Sequence, residues 1–281
     1  MLFRSKYGFK VEERFFAKGI DIMPAILSGQ IDIAALSSEG AVSGRANGTP
    51  IYTVAGFAKG GVRIVAGADT GIKSIKDLKG KKVGVTRGVI QELMLYAQLD
   101  KAGLTWSEQP GRDVQVIFLG FTDLNPALAT KQIDAMCQSE PYSSQAINKK
   151  FGVEIIKPYD TALGEPIRTM VMTEKLYKDN PDLALRFMKA FVEATALFNK
   201  DTALAEKYVR QNMFKGGFSA EDYHDAMDNA DFTYDLSAKH IQITTDMMQK
   251  YFTKKMAAPP RADEWVKLDL LDKAKAELKV K

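Results

Sequence analysis

The sequence predicts an α/β protein of two similar lobes, and three observations lead to that fold class. A chain of 281 residues is long enough for two hydrophobic cores. Strand-like and helix-like segments alternate up to Thr173, and the remaining chain has an almost wholly helical pattern. The stretch from Phe16 to Glu39 also recurs, without a gap, from Phe118 to Pro141. We therefore expect parallel or mixed sheets that are covered by helices.

Each copy of the repeat has one local plan. A strand ends in Phe, a loop and a short proline-containing helix follow, and a Gln-Ile-Asp strand then runs into a polar tip. Since open α/β sheets bind ligands at the carboxyl ends of their strands, we expect the two tips to face each other across a cleft. The first tip is 37–39 and the second is 139–141. Roughly one or two matches would arise by chance, whereas the copies share Phe16/Phe118, Asp21/Asp123, Pro24/Pro126, Ala25/Ala127, Gln30/Gln132, Ile31/Ile133, Asp32/Asp134 and Ser37/Ser139.

The order of helices and strands is predicted from residue propensities and from the residues that cap or end each element. β-Branched and apolar runs predict strands, Asn47-Gly48 with Pro50 ends a helix, and Ser74 caps a helical turn that ends at Gly80. An amphipathic helix over Gly88–Ala102 turns Leu93, Tyr96, Ala97 and Leu99 inward. The other predicted helices are Asp21–Ser28 and Glu39–Asn47, and the predicted strands are Val11–Phe16, Ile31–Leu36, Ile51–Phe57, Val62–Ala66, Lys82–Thr86, Val114–Leu119, Glu154–Ile156 and Thr169–Thr173.

Composition excludes several classes of protein. The net charge of +4 is spread along the chain, and no basic block is interleaved with aromatic residues, so we expect no nucleic-acid partner. A single cysteine, Cys137, excludes an internal disulfide bond. The two histidines, His224 and His240, have no metal-ligand spacing, and no nucleophile or phosphate-loop motif occurs. We therefore expect neither catalysis, nor a metal, nor a cofactor.

Residues 74–85 read Ser-Ile-Lys-Asp-Leu-Lys-Gly-Lys-Lys-Val-Gly-Val. Together with the Gln-Ile-Asp strand, the helix Gln91–Leu104 and the run Ser139-Glu140-Pro141-Tyr142, this stretch resembles the type II periplasmic solute-binding proteins. The similarity is to their nitrate, sulfonate and taurine branch, which includes NMT1-like thiamine-precursor binders. The resemblance implies a two-lobe fold with hinge crossings. It places 6–81 and 169–281 in the first lobe, with the last helices, and 82–168 in the second.

The start of the chain departs from that family. The family's first strand and the helix after it would lie before Lys6, and no signal peptide is present. We expect the natural N-terminus to lie upstream, with Met1–Ser5 a read-through scar of a sequencing adapter. A genuine short start is the alternative.

Several positions are candidate ligand contacts. The strand-to-helix link Arg87–Gln91 (Arg87, Gly88, Val89, Ile90, Gln91) offers free N–H groups and a helix dipole to an anionic or polar group, unless it is an ordinary turn. At the tips, Ser38 and Glu140 either contact ligand or cap helices. The remaining candidates are Ser37, Glu39, Phe57, Gln138, Tyr142 and Arg168.

The resemblance implies an extracytoplasmic, monomeric solute-binding protein that delivers a small polar or anionic molecule to an ABC importer. Its partners would be that ligand and the membrane permease. One alternative is an enzyme related to thiamine-pyrimidine synthases, although the cysteine-rich motif of those enzymes is missing here. Another is the sensory ligand-binding domain of a regulator.

Overall fold

The computed structural model describes residues 4–16, 19–165, 167–252 and 256–280, which form strands and helices in alternation. The strands are β1 (Ile33–Ser37), β2 (Ile51–Gly60), β3 (Val62–Gly67), β4 (Lys81–Val85), β5 (Trp106–Ser107), β6 (Val114–Phe118), β7 (Ala135–Ser139), β8 (Gly152–Ile156), β9 (Ile167–Thr173) and β10 (Ala230–Phe232). The helices are α1 (Arg4–Tyr7), α2 (Met23–Leu27), α3 (Ser38–Ala46), α4 (Ile90–Lys101), α5 (Phe121–Ala129), α6 (Tyr142–Asn148), α7 (Glu174–Asp179), α8 (Pro181–Lys200), α9 (Thr202–Lys207), α10 (Ala220–Met227), α11 (Ala238–Tyr251), α12 (Ala262–Trp265) and α13 (Asp269–Leu278).

The strands form two sheets, as the two-lobe prediction requires. The first sheet has the order β1-β9-β2-β10, and its pairings are antiparallel. The second has the order β5-β6-β4-β7-β3-β8 and is mixed, since β4 is parallel to β6 and β7 while β3 is antiparallel to β7 and β8. The helix α4 connects β4 to the β5–β6 edge, and α5 connects β6 to β7, which are the crossovers that parallel neighbours need.

Most of the predicted elements are present. The Ser74-capped turn is a 3₁₀ helix (Ile75–Leu78) with a reciprocal capping box between Ser74 and Asp77. The helix α4 buries Leu93, Tyr96 and the other residues predicted to face inward. Within the described residues, no helix is both long enough and apolar enough to cross a membrane.

The predicted strand Val11–Phe16 is wrong. These residues are not part of a strand in the structure, and Phe15 is 94% exposed. The segment is rich in charged residues, and a strand needs a hydrogen-bonding neighbour to offset the loss of water from its backbone. The first two residues of the expected adapter tetrapeptide, 2 and 3, lie outside the described residues.

The sequence repeat corresponds to a repeated backbone structure. The Gln30 N–H donates to Ala25 O at 2.9 Å. At the equivalent place in the second copy, the Gln132 N–H donates to Ala127 O, also at 2.9 Å. Each unit then continues into a strand, β1 in the first sheet and β7 in the second. The repeat therefore builds the same helix-to-strand turn in both lobes.

Strand β3 differs from its predicted place. The sequence analysis put residues up to 81 in the first lobe, whereas β3 pairs with β7 and β8 of the second sheet. The chain changes sheet at Gly60 and Gly61, whose φ values of 69° and 78° are left-handed and suit glycine. We propose that the chain crosses between the lobes at this turn and again after β8, in the segment that begins at 157.

The C-terminal helices contact both lobes rather than the first alone. Helix α10 packs on α6, where Asn148 Nδ2 donates to Asp222 Oδ1 at 3.0 Å. A buried arginine on β3, Arg63, also binds the Asp225 carboxylate of α10 at 2.8 Å. Helix α11 packs on α3 and, by Lys250 and Tyr251, on the end of α4. The C-terminal part therefore connects the two sheets.

Candidate functional site

Arg168 is a half-buried arginine of β9, and glutamates of both repeat tips act on its charge. Its backbone pairs with Ser37 of β1 on one side and with Ala58 of β2 on the other. The guanidinium makes one long hydrogen bond, from Nη1 to the Gly60 carbonyl at 3.4 Å. Among the described residues, it forms no ion pair with a carboxylate. Burial lowers the pKa of Arg168, and the neighbouring Glu39, Tyr159 and Glu140 oppose that change.

Glu39 is a buried carboxyl at the first tip. Only 2% of the residue is exposed, and the Ser37 hydroxyl donates to Oε1. The other oxygen, Oε2, is buried and has no hydrogen-bond partner among the described residues. Burial raises the pKa of Glu39 to about 7, although its hydrogen bonds, the Arg168 charge and the Ile90 N–H favour the ionised form. Because the Ile90 N–H acts on it, the Glu39 carboxyl lies near the N-terminus of α4.

The junction between β4 and α4 lies beside the Glu39 carboxyl. Thr86 and Gln91 are buried, and Thr86 Oγ1 and Gln91 Oε1 have no hydrogen-bond partner in the described part of the chain. The Gly88 N–H donates to Glu92 Oε2 at 2.5 Å, so this donor, predicted to be open to a ligand, is already used. Among the described residues, no atom outside the neighbouring ones lies within 4 Å of the position that a Cβ on residue 88 would take, so the chain is open on this side of Gly88.

The other candidates at this junction point in different directions. Val89 and Ile90 are buried, with Ile90 packed in the core and Val89 at the cap position of α4. Arg87 is exposed and forms a two-point ion pair with Glu108, at 2.9 and 2.6 Å. Its guanidinium also stacks 3.6 Å above the centre of the Phe118 ring. Arg87 is thus held at the outer end of the junction.

The polar groups of the second tip form hydrogen bonds with other residues of the protein. Glu140 Oε1 accepts from Arg63 Nε at 2.5 Å, while Oε2 accepts from the Ser144 N–H at 3.0 Å and from its hydroxyl at 2.7 Å. The Glu140 N–H donates to the Gly61 carbonyl at 3.0 Å, which holds the tip against the crossing. Gln138 is buried and joins the Phe121 carbonyl to the Ser139 N–H.

The remaining candidates belong to the packing around the cleft. The Ser38 hydroxyl is buried 3.5 Å from the Thr244 hydroxyl of α11. Phe57 stacks on Phe191 with 6.3 Å between ring centres. Tyr142 meets Phe218 edge-on at 5.2 Å. Among the candidates, Glu39 and Gln91 keep a buried oxygen with no hydrogen-bond partner in the described part of the chain, and Arg168 makes one long hydrogen bond.

Sequence reasoning missed two residues that shape this region. Tyr159 lies in the segment between β8 and β9, where its hydroxyl accepts from the Val62 N–H and donates to the Val62 carbonyl, each at 3.0 Å. Burial raises the pKa of Tyr159 to about 12. The sequence pattern predicts only that Arg63 belongs to a strand. An arginine within an apolar strand run is a signal that a buried carboxylate lies nearby.

The single cysteine is buried, and neither histidine is among the candidate site residues. Burial raises the pKa of the Cys137 thiol, which is packed in β7. His224 is exposed beside Glu206, and burial lowers the pKa of His240 on α11. No group of three or more possible metal ligands occurs in the described ranges.

A cavity of about 750 Å³ lies elsewhere, between α8, α9, α10 and β10. Lys59, Glu206, Asp231 and the rings of Phe198 and Tyr223 line it. It is wide open, and its ionic groups are satisfied in part by one another, as in the His224–Glu206 contact. None of the candidate site residues lines this cavity.

Two sheets that are covered by helices give the chain a two-part α/β fold. The fold matches that of the periplasmic aliphatic sulphonate-binding protein of Escherichia coli, with a TM-score of 0.80 at 19% identity. That match covers 95% of this chain and 85% of the other. A model of the NMT1-like family matches residues 1–211, so the chain belongs to the NMT1-like family.

Two curated relatives have transport names. One is an ABC transporter periplasmic binding protein of Brachyspira hyodysenteriae, 23% identical over 75% of this chain and 63% of its own length. The other is an aliphatic sulfonates-binding protein of Bacillus subtilis, 29% identical over 67% of this chain and 56% of its own length. The chain thus spans less than two thirds of each relative. Both relatives are named as binding proteins, which agrees with the predicted class of protein.

Proposed function

We propose that this protein is the extracytoplasmic solute-binding component of an ABC importer and that it holds a small polar or anionic organic molecule between its lobes. The observation that carries the proposal is the position of Arg168. The Arg168 guanidinium has no carboxylate partner in the described residues. It lies near the glutamates of both repeat tips and bonds to the Gly60 carbonyl at the proposed crossing. The transport names of the relatives and the family membership support the same function.

The mechanism follows from the two crossings. A solute that touches both Arg168 and the β4–α4 junction favours the closed arrangement of the lobes, because only that arrangement makes both contacts. No bond is made or broken. The closed, monomeric form would dock on a membrane permease, which then receives the solute.

Replacing Arg168 with methionine should weaken binding of small anions at least thirtyfold, because the anion would lose a partly buried, charge-assisted partner. Methionine keeps much of the apolar stem, so the variant should fold. Arg112→Met, the same change at an exposed position of the loop before β6, is the matched control. Calorimetry with ethanesulfonate, propionate and ethylphosphonate, together with taurine, β-alanine and 2-aminoethylphosphonate, provides the measurement. Equal affinities in wild type and Arg168→Met would contradict an anion site here.

A further inference from the structure

The open groove between α8, α9, α10 and β10, which we call the outer groove, has the size and the aromatic lining of a small-molecule site. Its volume of about 750 Å³ falls within the range of such sites, roughly 300–1,000 Å³. The rings of Phe198, Tyr223 and Phe232 line it. Phe198 meets Phe232 edge-on with 5.6 Å between ring centres, and Asn199 Nδ2 donates to the Phe232 carbonyl at 3.2 Å. The protein's own contacts therefore hold α8 and β10 together at this wall.

Most of the charged groups that line the outer groove are carboxylates. Glu206, Asp228 and Asp231 line it together with one lysine, Lys59. The Lys59 Nζ lies 4.0 Å from the Asp231 carboxylate and 3.9 Å from that of Glu165, so two carboxylates already offset its charge. A cation that enters the groove should therefore be attracted, whereas an anion should be repelled.

Glu206 is the most enclosed of these carboxylates, and its side chain is 22% exposed. It accepts from Arg210 Nη1 at 2.7 Å, and its other oxygen lies 3.0 Å from His224 Nε2. Near pH 8, where histidine side chains are ordinarily neutral, carboxylates around the groove still outnumber cations when Arg210 is counted. Burial raises the pKa of Tyr223, and the nearby Glu206 carboxylate adds to this effect. A carboxylate thus lies close to an aromatic ring of the wall.

We infer that the outer groove is a second binding site, which takes an organic cation: an ammonium or quaternary ammonium group on an apolar body. Carboxylates attract the positive charge, and aromatic rings contact both the apolar body and, by their faces, the cation. None of the candidate residues of the cleft lines this groove. The inference therefore does not depend on the proposed function.

Matched pairs of compounds test the need for a positive charge in the wild-type protein. The pairs are 2-phenylethylamine with 2-phenylethanol and choline with 3,3-dimethylbutan-1-ol, whose members have nearly the same shape and differ in charge. In NMR titrations near pH 8, the cation of at least one pair should bind about tenfold or more tightly than its neutral partner.

Charge variants test whether the cation lies in the outer groove. The double variant Asp228→Asn with Asp231→Asn should weaken cation binding about fivefold or more, because it removes two carboxylates of the lining. Lys59→Met should strengthen cation binding about twofold or more, because it removes the lysine of the lining. A folding defect would not produce effects of opposite sign. Glu221→Gln, at an exposed position of α10 outside the lining, is the control and should leave the affinity unchanged.

The outcomes separate this inference from the proposed function. If no cation binds, if the neutral partners bind as tightly, or if the double variant keeps the wild-type affinity, the inference is overturned. Arg168→Met should leave cation binding unchanged, since Arg168 does not line the groove. A cation affinity that changes severalfold in Arg168→Met and not in the double variant would place the cation in the cleft and would also overturn the inference.

Discussion

Replacing Arg63 with methionine should lower the free energy of unfolding by about 3–5 kcal/mol, the range for breaking a buried ion pair by removing one partner. Only 3% of Arg63 is exposed, and its guanidinium contacts three carboxylates: Glu140 at 2.5 Å, Glu154 at 3.0 Å and Asp225 at 2.8 Å. Without the cation, the buried Glu140 would keep its charge with no partner of opposite sign.

The loss should also depend on pH. Burial already raises the pKa of Glu140, and Arg63 is the main charge that opposes this change. In the Arg63→Met variant the Glu140 pKa should rise further. The variant's stability would therefore decrease as pH rises, because the folded state holds a proton that the unfolded chain releases. The deficit relative to wild type should be smallest in acid.

Urea unfolding followed by far-UV circular dichroism measures this effect. The control is Arg261→Met, since Arg261 is exposed and its pairs with Asp263 and Glu264 are worth at most about 1 kcal/mol. Adding Glu140→Gln to Arg63→Met should restore part of the loss, because it removes the unpaired buried charge. A loss in Arg63→Met no larger than in Arg261→Met would show that the cluster contributes little.

The sequence predicted the fold well where the pattern is local or repeated. The Gln-Ile-Asp units, the Ser74 cap and the inward face of α4 depend on residues close in the chain, and all of them are present. The place of β3 was not predictable in this way. Its apolar run suits either sheet, and its pairing with β7 depends on a chain turn at Gly60 and Gly61 that local propensity does not reveal.

The sequence predicts which regions form the candidate site, but it does not predict what each residue contacts there. The repeat drew attention to both tips, but tertiary contacts give the two glutamates different surroundings. Glu140 has a buried arginine opposite it, so both of its oxygens are occupied. Glu39 has no such partner. The difference comes from Arg63, which lies on another strand 77 residues before Glu140, and no spacing rule connects the two.

Replacing Glu39 with glutamine should stabilise the protein by roughly 3 kcal/mol near pH 8 and by much less near pH 5. Burial raises the pKa of Glu39 from about 4.5 to about 7. Between these values the folded state holds a proton that the unfolded chain has released. Wild-type stability therefore falls as pH rises from about 4.5 to about 7 and then levels off. Glutamine carries no charge, so the stability of the Glu39→Gln variant should not fall over this pH range because of residue 39.

The groups that face Glu39 set the size of this effect. The Ser37 hydroxyl, the Ile90 N–H and the Arg168 guanidinium all favour the ionised form, yet burial outweighs them. The measurement is urea unfolding of wild type, Glu39→Gln and the exposed control Glu221→Gln at both pH values. A stability difference between wild type and Glu39→Gln that is the same at both pH values would contradict the raised pKa. The predicted difference instead means that the protein keeps a destabilising carboxylate at neutral pH, which is the trade-off expected of a residue retained for ligand binding.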